Sequence, residues 1–297
     1  MNPGWQVIDL SGFEGSIRYV RGHIKLVKES EVISDLPLAQ LAVVLVGIQT
    51  SVSGAVLAKL AEYDVVLLVC DWRGIPIAGT MPWAEHTRVG ARHRAQAGLS
   101  LPRKKSAWQQ TVRAKILGQA NTLERLHCEN SQELNRIANE VRSGDTTNRE
   151  AVAAKLYWAS INLEEGFRRE PGAGDQGLNS CLDYAYTVLR GHAVRAVISG
   201  GLSGPLGIFH RGRSNPFALA DDLIEPFRPA VDHFVLSNVR QFDPAVRETK
   251  ALLVDAVNQQ FKKTGESIPT SLIELAQEFG LYVEGNRQRF EVTHWSI

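Results

Sequence analysis

The hydrophobic pattern of this chain changes its period once, at Met81–Trp83. Before this point, short segments alternate apolar and polar residues and are separated by glycine-containing turns, which is the pattern of β-strands. After it, apolar residues recur every three or four positions through long segments, as in amphipathic α-helices. The sequence therefore predicts an α+β protein with a small sheet-rich N-terminal domain and a larger helical C-terminal domain.

The regular elements can be placed along the chain. Strands are predicted at residues 5–10, 15–22, 23–29, 41–47, 64–72 and 74–80, and a short serine-capped helix at residues 51–63. Longer helices are predicted at residues 103–129, 131–143, 147–169, 178–199, 217–240, 245–263 and 270–280. The domains that follow are residues 1–83, a basic connector at residues 84–102, and residues 103–297.

Composition and apolar runs exclude several classes of protein. The 44% hydrophobic and 22% charged content is that of an ordinary globular protein. The N-terminal segment lacks the features of a secretory signal, and the runs LAVVLVGI and VVLLVC are too short to cross a bilayer. The cysteines, Cys70, Cys128 and Cys181, lie far apart, which argues against disulfides or a zinc knuckle. We therefore expect a cytoplasmic protein with no membrane association.

Positive charge is concentrated between Ala84 and Ile116, although the net charge of the chain is only +1. This basic band contains one acid, Glu85, and eight basic residues: Arg88, Arg92, Arg94, Arg103, Lys104, Lys105, Arg113 and Lys115. The band therefore carries +7, and the rest of the chain sums to −6. Such a band suits a polyanion, although most basic runs are simply solvated helix faces.

The segment GIFHRGRSNPFALADDLIEPFRP, at residues 207–229, has the strongest chemical signal. Asp221 and Asp222 come one turn before Glu225, and side chains three or four positions apart share a helix face. With His210 just ahead of them, these carboxylates suit a Mg²⁺ or Mn²⁺ ion. The same loop carries side chains that suit phosphate oxygens: Arg211, Arg213 and Asn215.

Ordinary structural explanations also exist for these acids. A surface helix normally carries acids, so the carboxylates at 221–225 could form a plain polar face. Pro226 and Pro229 argue slightly against this, because proline inside a helix costs roughly 3 kcal/mol, and a kink there would redirect Glu225. Glu150 opens a predicted helix, where the helix dipole alone favours an acid. The small residues behind it would let another helix approach and enclose its carboxylate.

Five segments together resemble the family of CRISPR spacer-acquisition integrases, the nuclease-like subunit of the adaptation machinery, in the branch that accompanies type II systems. These segments are GLSGPLGIFHRGRSNPFALADDLIEPFRP, NREAVAAKLYW, GLNSCLDYAYTVLR, KKSAWQQTVRAKI and VSGAVLAKLAEYDVVLLVCD. They extend over about residues 1–240, and their combination is specific although each alone is weak.

The resemblance implies a divalent-metal site. The family places a metal-binding glutamate in the motif REAVAAKLYW, which is Glu150 here, and a histidine at the end of a glycine-rich loop, which is His210. It places two acids in the pattern DLxE on the next helix, which are Asp222 and Glu225. The implied catalytic ligands of Mg²⁺ or Mn²⁺ are Glu150, His210 and Glu225. Asp222 is implied as an added acid, either near the metal or behind its ligands, while Asp221 lies outside the pattern.

The resemblance also implies an architecture, partners and a reaction. The fold would be an N-terminal β-sandwich with a short helix, followed by a larger all-α catalytic domain. Homodimers would flank a dimer of a small ferredoxin-like partner in a heterohexamer. The 3′-hydroxyl of incoming DNA would attack a phosphodiester of the repeat. The implied DNA contacts are Arg88, Arg92, Arg94, Arg103, Lys104, Lys105, Arg211 and Arg213.

Two departures from the family pattern affect the loop. Phe209 stands where many relatives of this branch have a second histidine, and the segment HRGRSN is richer in arginine than usual. Three other interpretations of the sequence remain open. They are a non-catalytic DNA-binding scaffold, a metal hydrolase for a small phosphorylated substrate, and a helical structural protein with a polar helix face.

Overall fold

The computed structural model describes residues 6–72, 76–80, 86–161, 163, 167–172 and 177–296. The predicted change of pattern at residues 81–83 lies outside the described residues, as does the second half of the turn predicted at 71–74. The architecture is α+β, with a strand-rich N-terminal part followed by a helical region, as predicted. No helix in the described part of the chain is both long enough and apolar enough to cross a membrane. All three cysteines are free thiols.

Among the described residues, eight strands form two four-stranded sheets. The strands are β1 Gln6–Leu10, β2 Gly15–Val20, β3 His23–Lys28, β4 Glu31–Pro37, β5 Leu41–Gly47, β6 Thr50–Val52, β7 Val66–Cys70 and β8 Pro76–Thr80. The first sheet has the order β1-β5-β7-β8, in which only β8 is antiparallel to its neighbour. The second has the order β4-β3-β2-β6, with a parallel pairing between β2 and β6.

Strand β5 lies between two cores, and all seven of its residues are buried. Val44 and Val46 belong to a core shared by the two sheets and the short helix α1 (Gly54–Glu62). Val43 and Leu45, which point the other way, belong to the core of the helical region. A strand covered on both faces has no polar side, which explains the unbroken apolar run LAVVLVG.

Nine further helices follow the sheets in the part of the chain that the structure describes. They are α2 Val89–Ala97, α3 Leu101–Arg125, α4 Ser131–Glu140, α5 Arg149–Ser160, α6 Gly177–Ser199, α7 Ala218–Ile224, α8 Arg228–Asn238, α9 Arg247–Asn258 and α10 Ile268–Val283. Helix α2 falls inside the stretch predicted to be a connector. The single helix predicted at 217–240 is divided into α7 and α8 by a 3-10 turn at Glu225–Phe227.

Helix α6 packs directly against the first sheet. A Cβ atom added to Gly191 would lie 3.0 Å from Val43 Cγ1, which is closer than side chains normally approach one another. Glycine therefore lets the backbone of α6 come down onto β5, and the helical region is built onto the outer face of this sheet.

Candidate active site

Three charged side chains from separate elements meet inside the helical region. Lys115 on α3 places its Nζ atom 2.6 Å from Glu150 Oε1 on α5 and 2.6 Å from Glu225 Oε2 in the 3-10 turn. The side chain of Glu225 is 4% exposed and that of Lys115 is 13% exposed. Two of the three predicted ligands therefore converge on one enclosed cation, which is an ammonium of the chain itself.

Glu150 is positioned by the loop that precedes α5. The backbone at Gly144, Asp145 and Asn148 has positive φ angles, which brings the Asp145 carboxylate back over the start of the helix. Its Oδ1 accepts a hydrogen bond from Arg149 N (2.8 Å), and its Oδ2 accepts one from Glu150 N (3.0 Å). Asp145 thus caps α5 and fixes the backbone of Glu150 itself.

Glu225 is positioned by the tight turn between α7 and α8. Pro226 has no N–H group and cannot continue the α-helical hydrogen bonds of α7, and the chain tightens there into a 3-10 turn. The turn packs closely on α3, because a Cβ on Gly118 would lie 3.1 Å from Pro229 Cβ. Thr122 Oγ1 also donates a hydrogen bond to Pro229 O (2.9 Å). These contacts bring Glu225 to Lys115, one turn before Gly118 on α3.

The charges of this cluster support one another. Burial by itself would raise the pKa of Glu225, but the nearby Arg228 and Lys115 outweigh it and lower that pKa. Burial likewise opposes the charge of Lys115, but Glu225 and Glu150 outweigh it and raise the pKa of Lys115. Arg228 contributes directly, since its Nη2 lies 3.3 Å from Glu225 Oε1. The carboxylate of Glu225 is therefore held in its ionised form.

His210 is held by Asp222, which is fully buried. The Nδ1 atom of His210 lies 2.7 Å from Asp222 Oδ1. A carboxylate oxygen can only accept a hydrogen bond, so the imidazole carries a proton on Nδ1 when Asp222 is ionised. This hydrogen bond raises the pKa of His210. In the neutral imidazole, Nε2 is left with its lone pair free, which is the arrangement found in metal-binding histidines.

Asp222 also organises the loop that carries His210. Its Oδ2 accepts hydrogen bonds from Ile208 N (2.5 Å) and Phe209 N (3.0 Å), and its Oδ1 accepts one from His210 N (3.2 Å). Both oxygens of Asp222 are thus engaged in hydrogen bonds to the loop that carries His210. Asp221 points elsewhere and pairs with Arg190 (Oδ1 to Nε, 2.7 Å).

An aromatic stack lies beside His210. The ring of Phe209 stacks on Trp108 of α3, with 4.4 Å between ring centroids and 4° between ring planes. Trp108 is buried, whereas Phe209 is 49% exposed. The His210 ring meets both aromatic rings edge-on, at 5.9 Å from Phe209 and 6.0 Å from Trp108. The stack therefore connects the loop of His210 to the same helix that carries Lys115.

A buried network behind the turn supports Arg228. Tyr157 Oη donates a hydrogen bond to Asp232 Oδ2 (3.1 Å), and Tyr186 Oη donates one to Asp232 Oδ1. The guanidinium of Arg228 lies over the ring of Tyr186, 4.8 Å from its centroid. Burial raises the pKa of Asp232 to about 6. The network therefore connects Glu225, through Arg228, to Asp232, a carboxyl group whose pKa is raised to about 6.

We expect the stability contribution of Asp232 to depend on pH. Because its folded pKa is above the unfolded value near 3.9, the protonated form stabilises the fold at low pH, and this contribution is lost as the pH rises through about 6. The free energy of unfolding of the wild type, minus that of Asp232→Asn, should fall by up to about 3 kcal/mol between pH 4 and pH 7. Urea unfolding at a series of pH values measures this difference, and a constant difference would contradict the expectation.

Comparison with known proteins identifies the family. The profile of the family "CRISPR associated protein Cas1" matches residues 10–261. The chain belongs to the Cas1 family. It is 37% identical over 231 residues to the CRISPR-associated endonuclease Cas1 of Neisseria meningitidis serogroup C (strain 8013), an alignment that covers 77% of this chain and 73% of the relative.

Two solved structures share the Cas1 fold seen here. A casposase bound to integration product superposes with a TM-score of 0.76 at 18% identity, covering 97% of this chain and 93% of the other. The Cas6-RT-Cas1–Cas2 complex superposes with a TM-score of 0.74 at 17% identity, covering 98% of this chain and 36% of the other. At these identities the likeness establishes the fold.

The predicted DNA contacts of this Cas1-family chain fall into three groups. Five are exposed: Arg88, Arg94, Lys105, Arg211 and Arg213. Lys104 and Arg103 are half-buried, and Arg103 donates hydrogen bonds to the carbonyls of Tyr282 and Arg287. Arg92 is buried at 4% exposure, where it pairs with Glu284 and donates to Gly200 O. The guanidinium of Arg92 is therefore engaged inside the protein and is not presented to solvent.

No metal-binding cluster is preassembled among the described residues, where no three His, Cys, Asp or Glu side chains are grouped to hold an ion. The ammonium of Lys115 lies between Glu150 and Glu225. A cavity of about 670 Å³ lies elsewhere, lined mainly by apolar residues of α6 and the loop after it, including Val194, Val197 and Leu202. Neither Glu150, Glu225 nor His210 lines this cavity.

Proposed function

We propose that this chain is a metal-dependent DNA integrase and endonuclease of CRISPR adaptation, which inserts spacer DNA into a repeat. The observation that carries the proposal is the convergence of Glu150 and Glu225 on one enclosed cation, with His210 held by a buried carboxylate on the neighbouring loop. Supporting it, the relative in Neisseria is named an endonuclease, and the casposase structure contains an integration product.

The residues present fit a divalent cation. Two carboxylates and one imidazole are a donor set that Mg²⁺ or Mn²⁺ accepts. Glu225 Oε2 has no aligned hydrogen-bond donor in the described part of the chain, although it is fully buried and lies 2.6 Å from the ammonium of Lys115. Glu150, His210 and Glu225 would hold the ion. When bound, it would supply Lewis-acid polarisation of a phosphodiester and stabilise the departing 3′ oxygen.

The side chains of the protein contribute positioning and charge. Asp222 fixes the tautomer and orientation of His210, and Arg228 keeps Glu225 ionised. Asp145 fixes the start of the helix that presents Glu150. The exposed Arg211 and Arg213 follow His210 directly and suit phosphate oxygens on either side of the reacting bond.

The reaction needs no covalent enzyme intermediate. The 3′-hydroxyl oxygen of the incoming strand forms a bond to phosphorus, and the bond from phosphorus to the departing 3′ oxygen breaks. The attacking hydroxyl loses a proton to solvent and the departing oxygen gains one, so the number of phosphodiester bonds is unchanged. The Cas6-RT-Cas1–Cas2 complex supports a Cas2 partner, and we propose a homodimer that joins a dimer of this small ferredoxin-like partner in a heterohexamer.

A strand-transfer assay tests this function. Purified chain and partner are incubated with a labelled duplex that has free 3′-hydroxyl ends and with a plasmid that carries a repeat. Joined product should form with Mg²⁺ or Mn²⁺ and be absent with chelator. If product forms equally well in chelator, the metal-dependent mechanism is wrong. If DNA is bound but no joining occurs under any condition, the non-catalytic scaffold is favoured.

The loop arginines give a separate prediction for DNA affinity. Replacing Arg211 and Arg213 with alanine should weaken DNA binding by about tenfold. It should also reduce the slope of log K against log salt concentration by the amount expected for the loss of about two phosphate contacts. Fluorescence anisotropy at several salt concentrations measures both quantities. The matched control is Arg18→Ala with Lys28→Ala, which removes two exposed charges from the second sheet and should leave affinity within about twofold. Equal losses in both double variants would assign the effect to net charge alone.

A further inference from the structure

Phe209 is an exposed aromatic side chain with a rigid support and one open face. Its ring stacks almost parallel on Trp108, which is 2% exposed, and yet Phe209 itself remains 49% exposed. His210 contacts it edge-on, so neither of these neighbours covers the face opposite Trp108. A phenylalanine that served only the core would be expected to bury both faces. The arrangement instead presents a flat apolar surface to solvent.

The open face lies close to the proposed chemistry. Phe209 immediately precedes His210 and is followed by the exposed Arg211 and Arg213. Its support, Trp108, is seven residues before Lys115 on α3, which is two helical turns, or about 10 Å along the axis. A nucleotide whose phosphate lay at the carboxylates would therefore have its own base, or the neighbouring one, within reach of this ring.

We propose that Phe209 is a stacking platform for an unpaired nucleobase beside the reacting phosphate. The inference rests on the proposed function, because it needs a DNA strand at Glu150 and Glu225. Every base offers a flat π-face, so stacking on an aromatic ring is tolerant of sequence. The arginines bind the backbone, and Trp108 keeps the ring from turning away. Phe209 therefore contributes to placing the strand, and base identity is not read there.

The test is a double-mutant cycle between protein and DNA. Affinity is measured by anisotropy for DNA ends with a short single-stranded segment, in which an abasic site is moved one position at a time. Stacking on an aromatic ring accounts for about 5- to 150-fold in affinity per base. Phe209→Leu should bind intact DNA more weakly than the wild type by that factor. On DNA that is abasic at the stacked position, the two proteins should bind with equal affinity. Phe209→Trp should restore the affinity for intact DNA, and a 2-aminopurine at the same position should be quenched only by the aromatic variants.

The controls separate this inference from the proposed function. Tyr63→Leu, which removes another exposed aromatic ring beyond α1, should leave affinity unchanged. If Phe209→Leu weakens intact and abasic DNA equally at every position, or leaves affinity unchanged, the platform is wrong while the integrase proposal stands. If the wild-type chain binds no DNA, the proposed function fails and the platform fails with it. Leucine still covers Trp108, and far-ultraviolet circular dichroism verifies that the variant is folded.

Discussion

Replacing Glu225 with glutamine should reduce strand transfer on the order of 100-fold or more while leaving DNA affinity within about threefold. The amide keeps the size of the side chain but removes the negative charge that Lys115 and Arg228 stabilise inside the protein. A neutral group there would bind a divalent cation weakly, and the electrostatic stabilisation of the reacting phosphate would be lost. Strand transfer is quantified from labelled joined product, and affinity from anisotropy on the same DNA.

Asp221→Asn is the matched control for this prediction. Asp221 is a buried acid four residues before Glu225, but its carboxylate pairs with Arg190 and Asn215 instead of with Lys115. The variant should lose some stability and keep strand transfer within about threefold. If Glu225→Gln retained full strand transfer, the carboxylate would not be catalytic and the scaffold function would be favoured. If both variants lost activity equally, the loss would reflect damage to α7 instead.

Replacing Lys115 with methionine should destabilise the metal-free protein by about 3 kcal/mol. The change leaves the carboxylates of Glu150 and Glu225 facing each other without their shared cation, and removing one partner of a buried ion pair costs roughly 3–5 kcal/mol. Mn²⁺ should restore much of the loss, since an ion at 100 times its Kd stabilises the folded state by about 2.7 kcal/mol. Urea unfolding with chelator and with Mn²⁺ measures both effects.

The effect of Mn²⁺ is the difference between the free energies of unfolding measured with Mn²⁺ and with chelator. If the ammonium lies where the metal binds, Mn²⁺ should stabilise Lys115→Met more than it stabilises the wild type. Lys155→Met on the exposed side of α5 is the control and should change neither value by more than about 0.5 kcal/mol. Adding Glu225→Gln to Lys115→Met should recover part of the metal-free loss, because one of the two facing charges is then absent. A loss that Mn²⁺ does not alter would make Lys115 purely structural.

The spacing of hydrophobic residues predicted most of the fold, and the elements that it missed have physical explanations. Strand β4 was missed because it lies at the edge of its sheet, where Val32 and Ile33 are exposed and no alternation develops. Helix α2 was missed because polar residues face inward on it. Arg92 is buried there, and Gln96 donates hydrogen bonds to the carbonyls of Ser203 (2.8 Å) and Leu206 (2.6 Å). The spacing of apolar residues cannot reveal a helix whose inward face is polar.

The site was predicted in part. Glu150 and Glu225, from distant segments, do meet, and His210 lies beside Asp222, although the roles of all four stay predictions. Lys115 was counted only as one charge of the basic band. Its neighbours one turn away on either side, Val112 and Gln119, are buried, so it lies on the inward face of α3. That spacing was available in the sequence, but nothing in it says that an inward lysine meets two glutamates from elsewhere.

The contact between Gly191 and Val43 limits which segments of this chain can be replaced by those of a relative. Because α6 rests directly on β5, the outer face of the first sheet and the facing side of α6 form a matched pair of surfaces. A chimera that took its strands from one relative and its helices from another would join two surfaces shaped separately. A larger residue at either position would hold them apart. Recombination should therefore succeed where the transferred segment carries both surfaces, even though they are encoded about 150 residues apart.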